Sequence, residues 1–475
     1  MKKILLCALL ISVSLLQAQE KKSVKKKGNN SSFEYRFPAS LKQTPDSEAR
    51  LNQWYKDAKF GAFIHFGVYS VLEGGYKDRI PKARYAEWIE VNAKMSVEEY
   101  HEVAKRFNPK DFNAEAWVKV FKDAGMKYVV ITSKHHDGFA LFESAVSDYN
   151  IVDYTPFKRD IIKELSDACH RNGLKFGVYY SQAQDWDDPN APYLNPRRTK
   201  RTILHPNLPS DFKPDFDEYI KAKSLPQVEE LMKNYEIDLI WFDTPAQMTF
   251  ERAKLFSDVV RKYRPNCLIN SRIIQGGKEK VSQKNLELFD YVSIADKEVP
   301  TQKLPLYVES PDCVSSSFGY KAKGDVFYHD EKEMLERMVH TVCTGGNYLL
   351  NNGPMGNGKL DPEAVRLYGI IGEWMKKNRV SIHNTRPNPF DTRPDWGDIS
   401  TSKKGDVLYL HILNIPVSGE ILLNHMPSKV TGVSYLENGV SVPFEQDNDG
   451  VRIKVSNSIK NSLDLVIKVT LNKPI

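Results

Sequence analysis

Leu239-Ile240-Trp241-Phe242-Asp243 is a short apolar run that closes on a carboxylate. Seven other runs share that grammar: Phe60–Gly67, Tyr128–Ser133, Phe176–Ser181, Cys267–Arg272, Tyr291–Ala295, Leu306–Glu309 and Asn347–Leu350, with Ile237–Asp243 as the fourth in chain order. Short apolar segments that alternate with helical patterns point to a parallel sheet covered on both faces. The helical patterns fall at Val97–Phe107, Glu115–Ala124, Ile161–Arg171, Val228–Asn234, Glu251–Tyr263, Glu331–Thr344 and Pro362–Lys377. Gly173 suits the end of the third, and Asp361 with Pro362 suits the start of the last. Eight such units predict an α/β fold, a (β/α)8 TIM-like barrel, whose active site lies at the C-terminal strand ends. Asp243 then stands on the working face. The fifth and sixth connections are short and irregular.

From Val380 onward the pattern changes. Prolines 387, 389 and 394 mark a linker, and alternating runs follow at Val407–Leu413, Glu420–Leu423, Val430–Leu436, Val451–Val455 and Leu463–Leu471. Asn438-Gly439 and Asp449-Gly450 are hairpin signals. The expected order is a signal peptide over 1–18, a basic and polar linker over 19–33, the barrel over 34–380, and a C-terminal antiparallel β-sandwich domain over 381–475, read as structural in role.

Lys2-Lys3, the apolar stretch Ile4 to Leu16 and Leu16-Gln17-Ala18 compose the signal peptide, so export to a periplasm or beyond is expected. The apolar stretch is too short to span a bilayer, so no membrane span is expected. The net charge of +6 over 475 residues is deceptive. Residues 1–27 carry seven Lys and one Glu, which leaves the remainder formally neutral. No nucleic-acid footprint is present. Cys169, Cys267, Cys313 and Cys343 are widely spaced with no C-x-x-C pattern, and buried free thiols are the expected state.

A glycosidic bond is cut between two carboxyl groups. Asp243 is the candidate nucleophile, against the reading of a helix N-cap after a strand. Glu309, closing the seventh run, is the candidate acid/base, because Tyr307 and Val308 supply apolar surroundings that favour a neutral carboxyl. Glu298, after the sixth run, is its rival, and spacing alone barely separates them. His65, His135 and His136 could bind sugar hydroxyls or a metal, but the chain has neither a His-x-His on the first strand nor an H-E-x-x-H. Glu87 with Trp88 suits a diol and a ring face, although a surface glutamate beside a core tryptophan reads the same way. Arg272 ends the fifth run and bears either on the nucleophile or on a neighbouring acid. Tyr179-Tyr180 ends the third, and alternation aims one ring inward; Tyr180 is the one chosen. The long segment Gln182–Asp215 is expected to wall the pocket. Gly345-Gly346-Asn347 and Asn351-Asn352-Gly353-Pro354 around the eighth run read as turns, since no phosphate-binding pattern accompanies them.

Four motifs together resemble the α-L-fucosidases of glycoside hydrolase family 29. They are Lys59-Phe60-Gly61-Ala62-Phe63-Ile64-His65-Phe66-Gly67-Val68-Tyr69-Ser70, His135-His136-Asp137-Gly138-Phe139, Gly177-Val178-Tyr179-Tyr180-Ser181, and Gly345-Gly346-Asn347-Tyr348-Leu349-Leu350-Asn351-Asn352-Gly353-Pro354. The resemblance runs from about Leu51 to Val380. It implies an exo-acting enzyme that removes terminal α-linked L-fucose from an oligosaccharide or glycoconjugate, with retention, through a covalent glycosyl-enzyme and without metal or other cofactor. It implies Asp243 as nucleophile, where Thr244 replaces the family's usual Gly. His65, Glu87, Trp88, His135, His136, a third-strand tyrosine and Arg272 match ring-binding positions. Val308-Glu309 ahead of Ser317-Phe318-Gly319-Tyr320 stands where many members carry Trp-Glu ahead of Ser-Trp-Gly-Tyr, which implies Glu309 as acid/base and Phe318 at the substrate. The rival readings are a glycosidase of related specificity such as an α-L-galactosidase, a metal-dependent barrel hydrolase, and a non-catalytic fucose-binding protein.

Overall fold

The computed structural model describes residues 40–192, 204–275, 282–455 and 463–475. The expected signal peptide and basic linker lie outside the described residues.

Eight parallel strands make the central sheet: β1 Phe60–Ile64, β2 Tyr128–Lys134, β3 Lys175–Tyr180, β4 Leu239–Phe242, β5 Leu268–Ile269, β6 Val292–Ser293, β7 Val308–Cys313 and β8 Asn347–Asn352. Their order is β5-β4-β3-β2-β1-β8-β7-β6, so the first and last strands in sequence are neighbours. The remaining seam, between β5 and β6, is closed by one parallel bridge, Asn270 to Tyr291, and by the Asp290 amide donating to the Ile269 carbonyl at 2.8 Å. These are the two shortest strands, where the sequence pattern is most eroded. The barrel expected from the sequence is therefore present, with a weak seam.

Helices cover the outside at Val97–Ala104, Ala114–Asp123, Ile161–Arg171, Leu225–Asn234, Phe250–Tyr263, Glu331–Cys343 and Pro362–Asn378. Their starts follow the capping logic of the sequence. Ser96 and Glu99 form a capping box, and Asn113, Asp160, Thr249, Asp330 and Asp361 each accept a first-turn backbone N–H. The barrel interior is packed by Phe63, Tyr128, Val130, Tyr179, Leu239, Trp241, Leu268, Tyr291, Cys313 and Leu349, joined by Leu51 and Tyr55 from short helices that precede β1. Its aromatic content makes it a filled core with polar anchor points rather than a uniform aliphatic plug.

β7 corrects the sequence reading. The strand was expected to end at Glu309; it starts at Val308 and continues through Ser310, Pro311, Asp312 and Cys313, all buried. Its polar residues break the apolar signature, yet the sheet accepts them because each finds a partner. Asp312 accepts from Arg337 at 2.5 Å and from the Tyr348 hydroxyl at 2.9 Å.

Beyond the last helix, β9 Thr385–Arg386, β10 Gly397–Ser402, β11 Val407–Ile412, β13 Val430–Tyr435 and β16 Leu465–Leu471 form one antiparallel sheet. β12 Glu420–Asn424, β14 Phe444–Gln446 and β15 Gly450–Lys454 form a second. The two enclose their own core, with Leu408, Leu410, Val451, Ile453, Ile467 and Val469 at its centre. Cys169, Cys267, Cys313 and Cys343 are buried free thiols. Among the described residues, no helix is long and apolar enough to cross a membrane.

Candidate active site

The inward positions of β4 are Leu239 and Trp241, and Asp243 follows at the next inward position, just past the strand end. Asp243 Oδ2 accepts from the Tyr179 hydroxyl at 3.0 Å, and Oδ1 accepts from Arg272 Nη1 at 2.8 Å. His136 Nε2 lies 3.8 Å from Oδ2. The backbone N–H of Asp243 donates to Gln182 Oε1 at 3.0 Å, while Gln182 Nε2 donates to the Arg272 carbonyl at 2.8 Å. One side chain thus ties the ends of β4 and β5 together. Thr244, next in the chain, holds φ +43°, a region costly for a β-branched residue. That is a physical reason for the glycine the resemblance leads one to expect there.

Arg272 is a fork with two carboxylates. Nη1 holds Asp243, and Nη2 donates to Asp296 Oδ1 at 2.6 Å and to the Ile294 carbonyl at 2.7 Å. Its guanidinium carbon sits 4.6 Å from the centre of the Trp241 ring. Burial works against its charge, but Asp296 and Asp243 outweigh burial and keep it cationic. Both readings offered for Arg272 are therefore present in one residue: it bears on Asp243 and pairs with a neighbouring acid.

Around this pair stand the expected sugar-binding residues. His65 Nδ1 lies 2.8 Å from Asn351 Oδ1, and His136 Nδ1 lies 2.7 Å from Ser181 Oγ. The His135 ring stacks 5.5 Å from Tyr179 and lies 4.1 Å from His136. Burial lowers the pKa of all three, His65 to about 4, so each imidazole is neutral near pH 7. Gly138, at φ +77°, turns the loop behind the two histidines; a Cβ there would meet Asp185 Oδ1 at 2.3 Å. Trp88 packs edge-on against His136 and Trp186, each at 5.1 Å. Trp186 comes from the segment expected to wall the pocket, of which 193–203 lie outside the described residues. Glu87 is buried and accepts from the Gly319 amide at 2.8 Å and from Ser317 Oγ at 3.2 Å. Phe318, between those donors, packs 4.8 Å from the His65 ring.

Three expectations meet a different placement. Tyr180 was chosen as the inward ring, but its hydroxyl donates to Gln227 at 2.9 Å on the helix side, while Tyr179 faces Asp243. Alternation fixes that one of two neighbours points in; the parity of the strand decides which, and two identical residues hide it. Glu309 is not brought to the pocket. It sits near the start of β7, fully buried, with Oε1 accepting from Trp241 Nε1 at 2.8 Å and Oε2 accepting from the hydroxyls of Tyr55 and Tyr128 at 2.5 and 2.8 Å. Trp241 lies between it and Arg272. Glu298 is half-buried, and its carbonyl accepts from the Ser310 hydroxyl. Neither glutamate is a partner of Arg272. The second carboxylate on Arg272 is Asp296; it follows β6 as Asp243 follows β4, so the rule that picks Asp243 also picks it.

Among the described residues, no three His, Cys, Asp or Glu side chains are grouped so as to hold a metal ion.

A parallel barrel that gathers two carboxylates, neutral imidazoles and aromatic faces at its C-terminal strand ends has the make-up of a glycoside hydrolase. The chain belongs to the alpha-L-fucosidase family: the model of that family matches residues 27–380. It is 31% identical to the human plasma alpha-L-fucosidase over 410 residues, covering 81% of this chain and 80% of that protein. Alpha-L-fucosidase isoenzyme 1 from Paenibacillus thiaminolyticus matches at a TM-score of 0.79 and 31% identity, over 90% of this chain and all (100%) of that one. Alpha-L-fucosidase AlfC from Lactobacillus casei, solved with its α-L-fucose product, is 37% identical over 69% of this chain and 99% of its own, with a TM-score of 0.61. The enzyme is an alpha-L-fucosidase, a glycoside hydrolase acting on fucosylated glycans.

Proposed function

We propose that this fucosidase is exo-acting and works with retention through a covalent glycosyl-enzyme, with Asp243 as nucleophile and Asp296 as acid/base. The observation that carries the reading is the Arg272 fork, which holds Asp243 at 2.8 Å and Asp296 at 2.6 Å and so brings both carboxylates to one guanidinium. The Tyr179 hydroxyl and Arg272 orient Asp243 for attack on the anomeric carbon. The three neutral histidines accept from or donate to sugar hydroxyls without adding charge. Asp296 is exposed, as a group that meets a departing oxygen and then a water must be. Taking up the proton it will donate loosens Asp296 from Arg272, which keeps the Ile294 carbonyl, and donation to the departing oxygen leaves a carboxylate that Arg272 holds again. The N-terminal leader supports export to the periplasm or beyond, which mass analysis of the mature N-terminus from an extracytoplasmic fraction would test.

Replacing Asp243 by Ala should remove turnover altogether. The Asp296→Ala variant should keep its first step on fucosides with good leaving groups and regain turnover with azide. Azide rescue of Glu298→Ala in place of Asp296→Ala would transfer the acid/base role, and near wild-type rates in Asp243→Ala would end the whole reading.

A further inference from the structure

Glu309 has the properties of a catalytic carboxyl in a place where no glycan can reach. It is completely buried in the barrel, and burial raises its pKa while hydrogen bonds from Tyr55, Tyr128 and Trp241 favour the anion. Three donors on one carboxylate is a costly arrangement to bury, and a well-packed apolar residue would serve stability as well. What the carboxylate does achieve is geometric. Oε2 is anchored by two tyrosine hydroxyls, which leaves Oε1 fixed in space to accept from Trp241 Nε1 at 2.8 Å.

An indole packed only by apolar contacts can slide and tilt; one hydrogen-bonded at Nε1 has its plane set. Phe63 supports that plane from one side, with ring centres 5.0 Å apart. The same ring governs both partners of Asp243. Tyr179 stacks on Trp241 at 5.6 Å with 18° between the planes, and its hydroxyl reaches Asp243. The Arg272 guanidinium lies over the Trp241 ring at 4.6 Å and reaches Asp243 through Nη1. Trp241 is also two residues before Asp243 on the same inward line of β4.

We propose that Glu309 is a positioning residue for hydrolysis: through the indole N–H it sets the plane of Trp241, and that plane places Tyr179 and Arg272 on Asp243. The inference rests on Asp243 being the nucleophile. Glu309 touches neither substrate nor the reacting atoms.

The test uses the full mature enzyme with Glu309→Gln and Glu309→Leu, assayed on two aryl fucosides whose leaving groups differ widely in acidity, with and without azide. Gln keeps an oxygen for the indole N–H and an amide that the tyrosine hydroxyls can accept from, so its kcat should stay within about threefold of wild type. Leu should lower kcat between about tenfold and a hundredfold, by the same factor on both substrates, with little change in KM and no azide rescue. Adding Trp241→Phe to Glu309→Leu should cost nothing more than Trp241→Phe alone, because both remove the same link. Should the Leu variant fail to fold, Glu309→Asp keeps the charge but withdraws the acceptor by one methylene, and the same loss in kcat is expected.

An unchanged kcat in a folded Leu or Asp variant would overturn the proposal. So would multiplying losses in the double variant. Azide rescue, or a loss confined to the poor leaving group, would make Glu309 an acid/base and overturn it in the other direction. Asp243→Ala, run beside them, separates this outcome from failure of the nucleophile assignment: turnover there would remove the premise, whereas an inactive Asp243→Ala with an unaffected Glu309→Leu removes the inference alone.

Discussion

His65, His135 and His136 show how burial, rather than sequence, sets the working charge of the pocket. Desolvation disfavours imidazolium, and it brings His65 down to about 4 and holds His135 and His136 well below the usual imidazole range. The ring of His65 therefore carries no charge from pH 5 upward and gains a proton only near pH 4. KM for a neutral fucoside should be flat between about pH 5 and 8 and should rise below about pH 4 as His65 gains its proton. A step in KM near pH 6.5 would mean that the pocket is far wetter than its packing implies. The histidines, Glu87, Trp88, Arg272 and Asp243 could be found in the sequence because each follows a strand or lies in the loop beyond it. Tyr179 could not be told from Tyr180, since two tyrosines side by side carry no parity signal. Asp296 was equally visible by the strand-end rule. The apolar neighbours of Glu309 read two ways, because an apolar setting suits a raised pKa and also suits the centre of a barrel.

At the scale of elements, β7 is the strand whose character the sequence conceals. Val308, Glu309, Ser310, Pro311, Asp312 and Cys313 have no alternation of apolar and polar residues, because the barrel buries both faces and supplies polar partners on each. Those partners come from Tyr55, more than 250 positions away, from Tyr128 and Trp241, and from Arg337 and Tyr348. Contacts at such separations leave no local trace. The Asp312 pair is the clearest stability test. Asp312 is fully buried, so Arg337→Met strands its charge and should cost about 3 kcal/mol in denaturant unfolding. Tyr348→Phe removes one of two donors and should cost about 1 kcal/mol. Equal small losses in both would mean that Asp312 is solvated. The loop after β8 is as constrained. A Cβ on Gly353 would lie 2.4 Å from the Tyr320 amide and 2.6 Å from the Phe318 carbonyl. Gly353→Ala should displace the Ser317–Tyr320 turn that holds Glu87, and raise KM more than it lowers kcat.

For the whole molecule, barrel and sandwich are joined by specific polar contacts that neither half of the sequence announces. Asp398 of β10, almost fully buried, lies 3.0 Å from His340 Nδ1 on a barrel helix and accepts from Arg393 at 2.8 Å. Ser400 donates to the Ser381 carbonyl at 2.8 Å, and Trp374 Nε1 donates to the Asp464 carbonyl at 3.2 Å. Asp398→Ala should lower stability by about 1–2 kcal/mol and reduce Tm, with kcat/KM at 25 °C unaltered. A loss of activity without loss of Tm would give the sandwich a part in the site. The barrel itself was legible because its period is long and repeated; β10 was not, because Gly397-Asp398-Ile399-Ser400-Thr401-Ser402 is mostly small and polar although five of its residues are buried. The pair of carboxylates at the C-terminal strand ends of that barrel is tested most directly by the stereochemistry of the first product. Hydrolysis of a chromogenic α-L-fucoside by the enzyme, followed by proton NMR from the first turnovers, should show α-L-fucose appearing first and the β form growing in only as the sugar mutarotates. The β anomer as first product would contradict a covalent intermediate on Asp243, even with fucose as the sugar released.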